Sequence, residues 1–162
     1  MVLAMAPAGQ VRTDEGACGA DALVTYVFDG DTVHAAGVGR VRLLGIDAPE
    51  AGGGFERPAP FAIEARERLQ ALVLRRWVRL ECDGPRRDVY RRMLAYLFVG
   101  RGLVNAQLVR DGLARVSART RLRYWEALRQ AEEEAQTRRR GMWGERPRVP
   151  APSYTLPRTG LR

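Results

Sequence analysis

One segment decides the fold, and it reads ALVTYVFDGDTVHAAGVGRVRLLGI from residue 22 to residue 46. Its first part, Ala22–Phe28, is rich in β-branched and aromatic residues, which favour a β-strand. The dipeptide Asp29-Gly30 that follows is a strong signal for a two-residue hairpin turn. A second, antiparallel strand is therefore predicted from Asp31 to about Ala36.

A third strand completes a meander. Two nearby glycines supply the next turn, and Arg40–Ile46 then alternates between apolar and basic side chains. Val41 and Leu43 are expected on one face of this strand, with Arg42 on the other, because successive side chains of a strand point to opposite faces. The segment thus predicts a three-stranded sheet with an arginine on its polar face.

The remaining elements follow a glycine- and proline-rich loop over residues 51–60. They are a helix over Phe61–Leu74, strands over Trp77–Cys82 and Arg92–Val99, a short helix over Leu103–Arg110 that Asp111-Gly112 ends, and a last helix with Leu122, Trp125, Leu128 and Ala131 on its apolar face. Five strands with a helix after the third match the order of an OB-fold, a small β-barrel. We therefore predict an α+β domain, a five-stranded OB-fold barrel with three α-helices.

The chain of 162 residues is long enough for one such domain. We predict a leader over residues 1–20, the domain over residues 21–144 and a disordered tail, rich in Pro and Arg, over residues 145–162. The apolar run Met1–Ala8 resembles the end of a secretory signal but lacks a basic start. An atypical signal, with a secreted, periplasmic or cell-envelope protein, and a plain disordered leader on a cytoplasmic protein both remain open.

The two cysteines, Cys18 and Cys82, are too few for a zinc ribbon and too far apart for a redox pair. They could form one disulfide in an exported protein or remain two unrelated thiols in a cytosolic one.

A formal net charge of +8 and a pI near 10.6 favour an anionic partner such as nucleic acid. All 27 basic residues are arginine. The planar guanidinium suits bidentate phosphate contacts, although base composition of the coding DNA could produce the same bias. The plain alternative for the charge is solubility, so the argument for phosphate binding depends on where particular arginines lie.

Two aspartates are predicted to meet at one rim of the barrel. Asp31 starts the second strand and Asp47 ends the third, so closure of the meander would bring them together. Neighbouring carboxylates repel each other unless a cation lies between them, and carboxylate and carbonyl oxygens suit Ca²⁺. Taken alone, Asp31 could serve only to form the turn, because Asp-Gly-Asp is common in turns.

Three further residues supply the other functional groups that phosphodiester hydrolysis requires. Glu50 follows Asp47 by three residues and could act as general base toward a water molecule. Arg42 and Arg92 could neutralise the charge that develops on a phosphate in the transition state. For each residue alone, a solvated surface charge is the simpler interpretation.

The chain resembles the staphylococcal nuclease (thermonuclease) family from about Ala22 to Trp143, through several blocks in order. The blocks are Asp29-Gly30-Asp31-Thr32, Arg42-Leu43-Leu44-Gly45-Ile46-Asp47-Ala48-Pro49-Glu50, Tyr90-Arg91-Arg92-Met93-Leu94-Ala95-Tyr96, Val104-Asn105 with Leu108-Val109-Arg110-Asp111-Gly112-Leu113-Ala114, and Gly141-Met142-Trp143.

The resemblance implies a Ca²⁺-dependent nuclease that acts on DNA and RNA and leaves the phosphate on the 3′ side. It assigns calcium to Asp31, Asp47 and the backbone carbonyl of Ala48, the general base to Glu50, the phosphate contacts to Arg42 and Arg92, and a place beside the substrate to Tyr90.

The chain also departs from the family pattern. Ala48 stands where the type member has a threonine, which removes a hydroxyl but keeps the carbonyl. Arg91 replaces a glycine that eases a turn. Ala118 and Thr120 align with two tyrosines that contact the nucleotide, so base stacking there is expected to be lost or supplied elsewhere.

The sequence therefore predicts a calcium-dependent, non-specific nuclease of DNA and RNA that favours single strands and acts as a monomer. The alternative is a catalytically inactive OB-fold module that only binds nucleic acid. Such a module has no need to keep the metal pair, the base and both arginines together. Binding to acidic membranes is disfavoured, because no basic amphipathic helix has an apolar face to spare.

Overall fold

The structure is a computed structural model that describes residues 17–52, 57–117 and 122–144. Most of the predicted leader, including the signal-like run Met1–Ala8, lies outside these ranges, as does the predicted tail over residues 145–162. Ala118 and Thr120 also lie outside the described residues.

Each of the predicted helices and strands is present, with short additions. The strands are β1 Asp21–Val27, β2 Thr32–Ala35, β3 Gly39–Leu43, β4 Ile46–Asp47, β5 Trp77–Glu81, β6 Met93–Val99, β7 Gly102–Leu103 and β8 Arg115–Val116. The helices are α1 Ala62–Val73, α2 Val104–Arg110 and α3 Trp125–Thr137, followed by a short 3₁₀ helix over Gly141–Trp143. None of the helices in the described ranges combines the length and apolar character that crossing a bilayer requires.

The five long strands close into a barrel. The hydrogen-bonded order is β3-β2-β1-β5-β6, and β3 also pairs with β6 in parallel, with Val41 opposite Met93. All other pairings among these strands are antiparallel. A closed barrel of this kind with three helices confirms the predicted α+β class and the OB-fold.

The core fills the barrel and the space beneath the helices. Val41 and Leu43 of β3 are buried, whereas Arg40 is exposed and Arg42 half-buried, as the alternation along this strand predicted. The buried faces of the helices include Leu69 of α1 and Leu128 of α3. The polar face of β3 is therefore free to carry part of a site.

The third strand is shorter than predicted, because the chain breaks at Leu44-Gly45 before β4 begins. Gly45 adopts a φ of +78°, which residues with a Cβ rarely adopt. The Leu44 carbonyl accepts a hydrogen bond from Asn105 Nδ2 at 2.9 Å. After this turn β4 leaves the barrel and pairs with β8, with Asp47 opposite Arg115. The predicted single strand over Arg40–Ile46 is thus two strands.

The predicted two-residue hairpin is also wrong in detail, since four residues separate β1 from β2. Gly30 does not have the positive φ that an Asp-Gly hairpin turn requires. A Cβ at Gly30 would instead lie 2.6 Å from Ala48 Cβ and 2.7 Å from Ala65 Cβ. Glycine is needed here because the loop before β2 passes close to both the Asp47–Ala48 segment and α1.

The two cysteines form a disulfide between Cys18 and Cys82, with a Cα–Cα distance of 5.5 Å. The cysteines are therefore bonded to each other and are not two unrelated thiols. The bond joins the segment before β1 to the end of β5, and Ala17 is buried in the core beside it. Packed structure therefore includes residues that precede β1.

The close approach at Gly30 generates a test. A Gly30→Ala variant is expected to lose about 2 kcal/mol of unfolding free energy, because the added methyl group must displace Ala48 or Ala65. Urea unfolding followed by circular dichroism measures the loss. Gly102→Ala is the control, since its Cβ would meet only Val99 O at 3.4 Å, and a change below about 0.5 kcal/mol is expected there. Equal losses at both positions would contradict the account of Gly30.

Candidate active site

Asp31 lies in the loop that joins β1 to β2, and its side chain is buried. Its Oδ2 atom accepts a hydrogen bond from the backbone N–H of Ala48 at 2.8 Å. Its Oδ1 atom accepts one from the hydroxyl of Thr32 at 3.1 Å. These two contacts fix the carboxylate at the barrel rim, directly beside the segment that carries Asp47.

Arg42 joins the two predicted metal aspartates. Its Nη1 atom lies 2.6 Å from Asp31 Oδ2, and its Nη2 atom donates to Asp47 Oδ1 at 2.7 Å. Nη1 also donates to the carbonyl of Ile46 at 3.1 Å. One guanidinium therefore bridges both carboxylates, which places Asp31, Arg42 and Asp47 in a single cluster at the rim.

The two aspartates have different environments. Burial raises the pKa of Asp31 to about 7, and nearby Asp29 adds to this, while the charge of Arg42 and the N–H of Ala48 act in the opposite direction. Asp47 has a side chain that is 62% exposed. The cluster thus combines one carboxylate with little access to water and one that faces solvent.

Asp47 and Ala48 line an open cavity of about 290 Å³, and Arg115 and Phe61 are among the other residues around it. Arg115 was not singled out from the sequence. Its backbone lies opposite Asp47 because β8 pairs with β4, and a two-residue strand leaves no periodic pattern to detect. A third arginine therefore borders the rim, in addition to the two that were predicted.

Arg92 and Arg42 both line a second open cavity, of about 300 Å³. Its Nε atom donates to Asp88 Oδ2 at 2.7 Å. Partial burial raises the pKa of Asp88, but the hydrogen bonds from Arg92 outweigh it and the net pKa is lowered. The Arg92 guanidinium also lies 5.3 Å from the centre of the exposed Tyr90 ring. The two predicted phosphate arginines thus face one cavity.

Arg91, in the loop before Arg92, keeps an unusual backbone conformation. It has a φ of +61°, so the position where the family pattern has a glycine keeps a glycine-like conformation.

Glu50, the predicted general base, is exposed, and its carbonyl accepts a hydrogen bond from the N–H of Ala59 at 2.9 Å. Its carboxylate forms no hydrogen bond or ion pair with another described residue. Glu50 is therefore close to Asp47 in sequence, but its carboxylate makes no hydrogen bond or ion pair with Asp31, Arg42 or Asp47.

The donor chemistry at the rim fits a hard divalent cation. The carboxylates of Asp31 and Asp47 are close enough to share one guanidinium, and oxygen donors of this kind are those that Ca²⁺ prefers. Within residues 17–52, 57–117 and 122–144, no group of three or more His, Cys, Asp or Glu side chains could hold a metal ion. Backbone carbonyl oxygen and water would have to complete the coordination.

Comparison with known proteins shows the family to which the chain is related. The profile of the staphylococcal nuclease homologues matches residues 40–145. The thermonuclease of Staphylococcus hyicus is 33% identical over 124 residues, which cover 74% of this chain and 73% of that protein. The thermonuclease of Staphylococcus intermedius is 34% identical over 125 residues, covering 75% and 74% respectively. Endonuclease YncB of Bacillus subtilis is 34% identical over 124 residues, covering 73% of this chain and 59% of that protein.

The closed five-stranded barrel with three helices defines an OB-fold domain, and the acid–arginine cluster lies at its rim. The family match spans the barrel from β3 onward and the helices around it. The chain belongs to the staphylococcal nuclease family.

The bridging role of Arg42 generates a stability prediction. At about pH 9, well above the Asp31 pKa of about 7, an Arg42→Met variant is expected to lose about 3 kcal/mol of unfolding free energy, because the ionised, buried Asp31 then lacks its counter-charge. Thermal and urea unfolding in the presence of EGTA measure the loss without a contribution from calcium.

Arg138→Met is the matched control, since Arg138 pairs with Glu134 but its side chain is 60% exposed. We expect a loss below about 0.5 kcal/mol there, as for other exposed pairs. An Arg42→Met variant as stable as this control would show that the bridge contributes nothing to the fold.

Proposed function

We propose that this protein is a calcium-dependent nuclease that hydrolyses phosphodiester bonds of DNA and RNA. The observation that carries the proposal is the guanidinium of Arg42 between Asp31 and Asp47 at the rim, with Arg92 on the cavity that Arg42 shares. Positions suited to a cation and to a phosphate thus lie side by side. The names of the relatives, thermonuclease and endonuclease, support the same reaction class.

Arg42 and Arg92 are the proposed phosphate contacts. A guanidinium has five N–H donors, and the contacts of Arg42 to Asp31, Asp47 and Ile46 occupy at most three of them. The others remain for phosphate oxygens. Arg92 is held by Asp88, which fixes the direction of its guanidinium. Two oriented guanidiniums would stabilise the extra negative charge of the transition state without reorganising.

Asp31, Asp47 and the backbone carbonyl of Ala48 are the proposed calcium ligands. When bound, the cation would supply positive charge beside the phosphoryl oxygens. Because Arg42 contacts both aspartates, the same residue would help to set the distance between the cation and the phosphate.

Glu50 is the proposed general base. Its exposed carboxylate has no partner among the described residues and is available to take a proton from water. The water oxygen would form the new bond to phosphorus, the bond from phosphorus to the 5′ oxygen would break, and that oxygen would take a proton from solvent. The products would be a 3′ phosphate and a 5′ hydroxyl.

Substrate preference, assembly and location complete the proposal. Contacts to phosphate carry no base information, so we propose cleavage without sequence specificity. The exposed Tyr90 ring beside Arg92 supports a preference for single strands, whose bases are free to stack. We propose a monomer. The Cys18–Cys82 disulfide supports export, since disulfides persist in oxidising compartments.

A cleavage assay separates the nuclease from an inactive binding module. The purified full chain is incubated with single-stranded DNA and RNA in Ca²⁺, then in excess EGTA, and binding is followed in parallel. We expect cutting in Ca²⁺ that EGTA abolishes. Binding with no cutting under either condition would overturn the nuclease and favour the binding module.

The proposed base gives a residue-level prediction. Glu50→Gln is expected to lower kcat by about 10²- to 10⁴-fold, because the amide cannot accept the proton, while the unfolding midpoint stays unchanged. Glu67→Gln on the exposed face of α1 is the control and should retain full activity. An unchanged rate for Glu50→Gln would remove Glu50 from the mechanism.

A further inference from the structure

We propose that the outer face of the β1–β2–β3 part of the sheet, with Arg66 of α1 beside it, is a second binding site for single-stranded nucleic acid, continuous with the cleavage site. The inference rests on the proposed function, because it takes the same substrate and extends its path. The site consists of four side chains in contact, Arg66, Tyr26, Phe28 and Arg40, which we call the aromatic ladder.

Two rings lie side by side in the ladder, with one cation at each end. The Tyr26 and Phe28 rings meet edge to face, with centroids 4.9 Å apart. The guanidinium of Arg40 lies 4.5 Å from the centre of the Phe28 ring. At the other end, the guanidinium of Arg66 lies 5.9 Å from the centre of the Tyr26 ring. Proteins that bind single strands combine these elements, with rings on which bases stack and cations that bind phosphates.

A β-bulge explains why the two rings lie outside the barrel. Val24 pairs with Ala35 and Tyr26 with His34, so Thr25 is an extra residue in β1. Strict alternation from the buried Val24 would turn Tyr26 inward. With the bulge, Val27 is buried and Tyr26 is 49% exposed. Bulges often re-aim a side chain beside a functional site, and this one displays an aromatic residue that could have filled the core.

The cations of the ladder are available for a ligand. Neither Arg40 nor Arg66 forms an ion pair with another described residue. By contrast, Arg79 lies 4.8 Å from the centre of the Phe98 ring but also pairs with Glu81 at 2.8 Å. Arg66 donates from Nη2 to the Tyr26 hydroxyl at 3.4 Å, a neutral partner that leaves its charge uncompensated. The ladder therefore presents positive charge that no acid in residues 17–52, 57–117 or 122–144 neutralises.

The ladder leads directly to the proposed cleavage site. Arg40 and Arg42 are two residues apart on β3 and share its polar face, which places their backbones about 7 Å apart. Phe28 begins the loop that carries Asp31, and its N–H donates to the carbonyl of Thr32 at 2.9 Å. A strand with one phosphate at Arg42 could place the next at Arg40 and stack its following bases on Phe28 and Tyr26.

Binding measurements on an uncut strand test the proposal. All variants are made in the Glu50→Gln background, and the probe is fluorescently labelled oligothymidylate of about 12 nucleotides, within the length that one OB-fold contacts. Anisotropy is recorded over a series of salt concentrations, and circular dichroism confirms that each variant is folded.

Two variants separate the ring from the charge. Tyr26→Leu keeps an apolar contact with Phe28 and is expected to weaken binding about tenfold at every salt concentration, since it removes a stacking surface. Arg40→Gln is expected to make the slope of log affinity against log salt shallower by about 0.7, the value for one phosphate contact on a single strand.

Arg79→Gln is the matched control, because it removes an arginine over a ring on another strand of the barrel. We expect the Arg79→Gln variant to bind the probe with the same affinity and the same salt slope as the Glu50→Gln parent. If Tyr26→Leu and Arg40→Gln bind the probe like this control, the ladder only packs the surface and the proposal is overturned. An equal loss of affinity for a dinucleotide, which is too short to reach the ladder, would also overturn it.

The outcomes distinguish this proposal from the proposed function. If the wild-type chain cuts no nucleic acid while the two ladder variants still lose binding, the nuclease fails and the binding surface stands. If the wild-type chain cuts and the variants bind like the control, the ladder alone fails.

Discussion

The rest of the site depends on one ion-paired cluster, in which Arg42 holds Asp31 and Asp47 together. Two ionised carboxylates at one rim repel each other unless a counter-charge lies between them, and a buried ionised carboxylate is costly unless it is paired. Arg42 supplies that charge from β3, while the aspartates come from the loop before β2 and from β4. The cluster thus ties three separate parts of the chain to one point. It also brings a phosphate-binding side chain into contact with both proposed cation ligands.

Several distant contacts keep this point in place. Asn105 is fully buried and bonds both the Leu97 N–H and the Leu44 carbonyl, which fixes the turn before β4 to β6. Glu132 of α3 accepts a hydrogen bond from the Val116 N–H, which anchors β8 behind β4. The acids and Arg42 therefore lie on a supported frame. Glu50, by contrast, lies exposed where the chain leaves β4.

Sequence predicted the barrel order, the three helices and the outward face of Arg42, because alternation and turn residues report local structure. The break at Gly45 could not be predicted, since it depends on contacts with α2 and α3 far along the chain. Gly30 was correctly seen as special but for the wrong reason, turn geometry instead of space. Arg115 and the exposure of Tyr26 were missed because a two-residue strand pairing and a bulge leave no pattern in sequence. The roles of Glu50 and Arg92 came from motif and resemblance, and they stay predictions.

The central claim is that Asp31 and Asp47 form one calcium site at the Arg42 cluster. Calorimetric titration of the full chain with Ca²⁺, in the absence of nucleic acid, tests it most directly. We expect a single binding event that is lost in Asp31→Asn and in Asp47→Asn but kept in Glu67→Gln, the control on the exposed face of α1. Calcium binding that survives either aspartate substitution, or that is absent from the wild-type chain, would contradict the account.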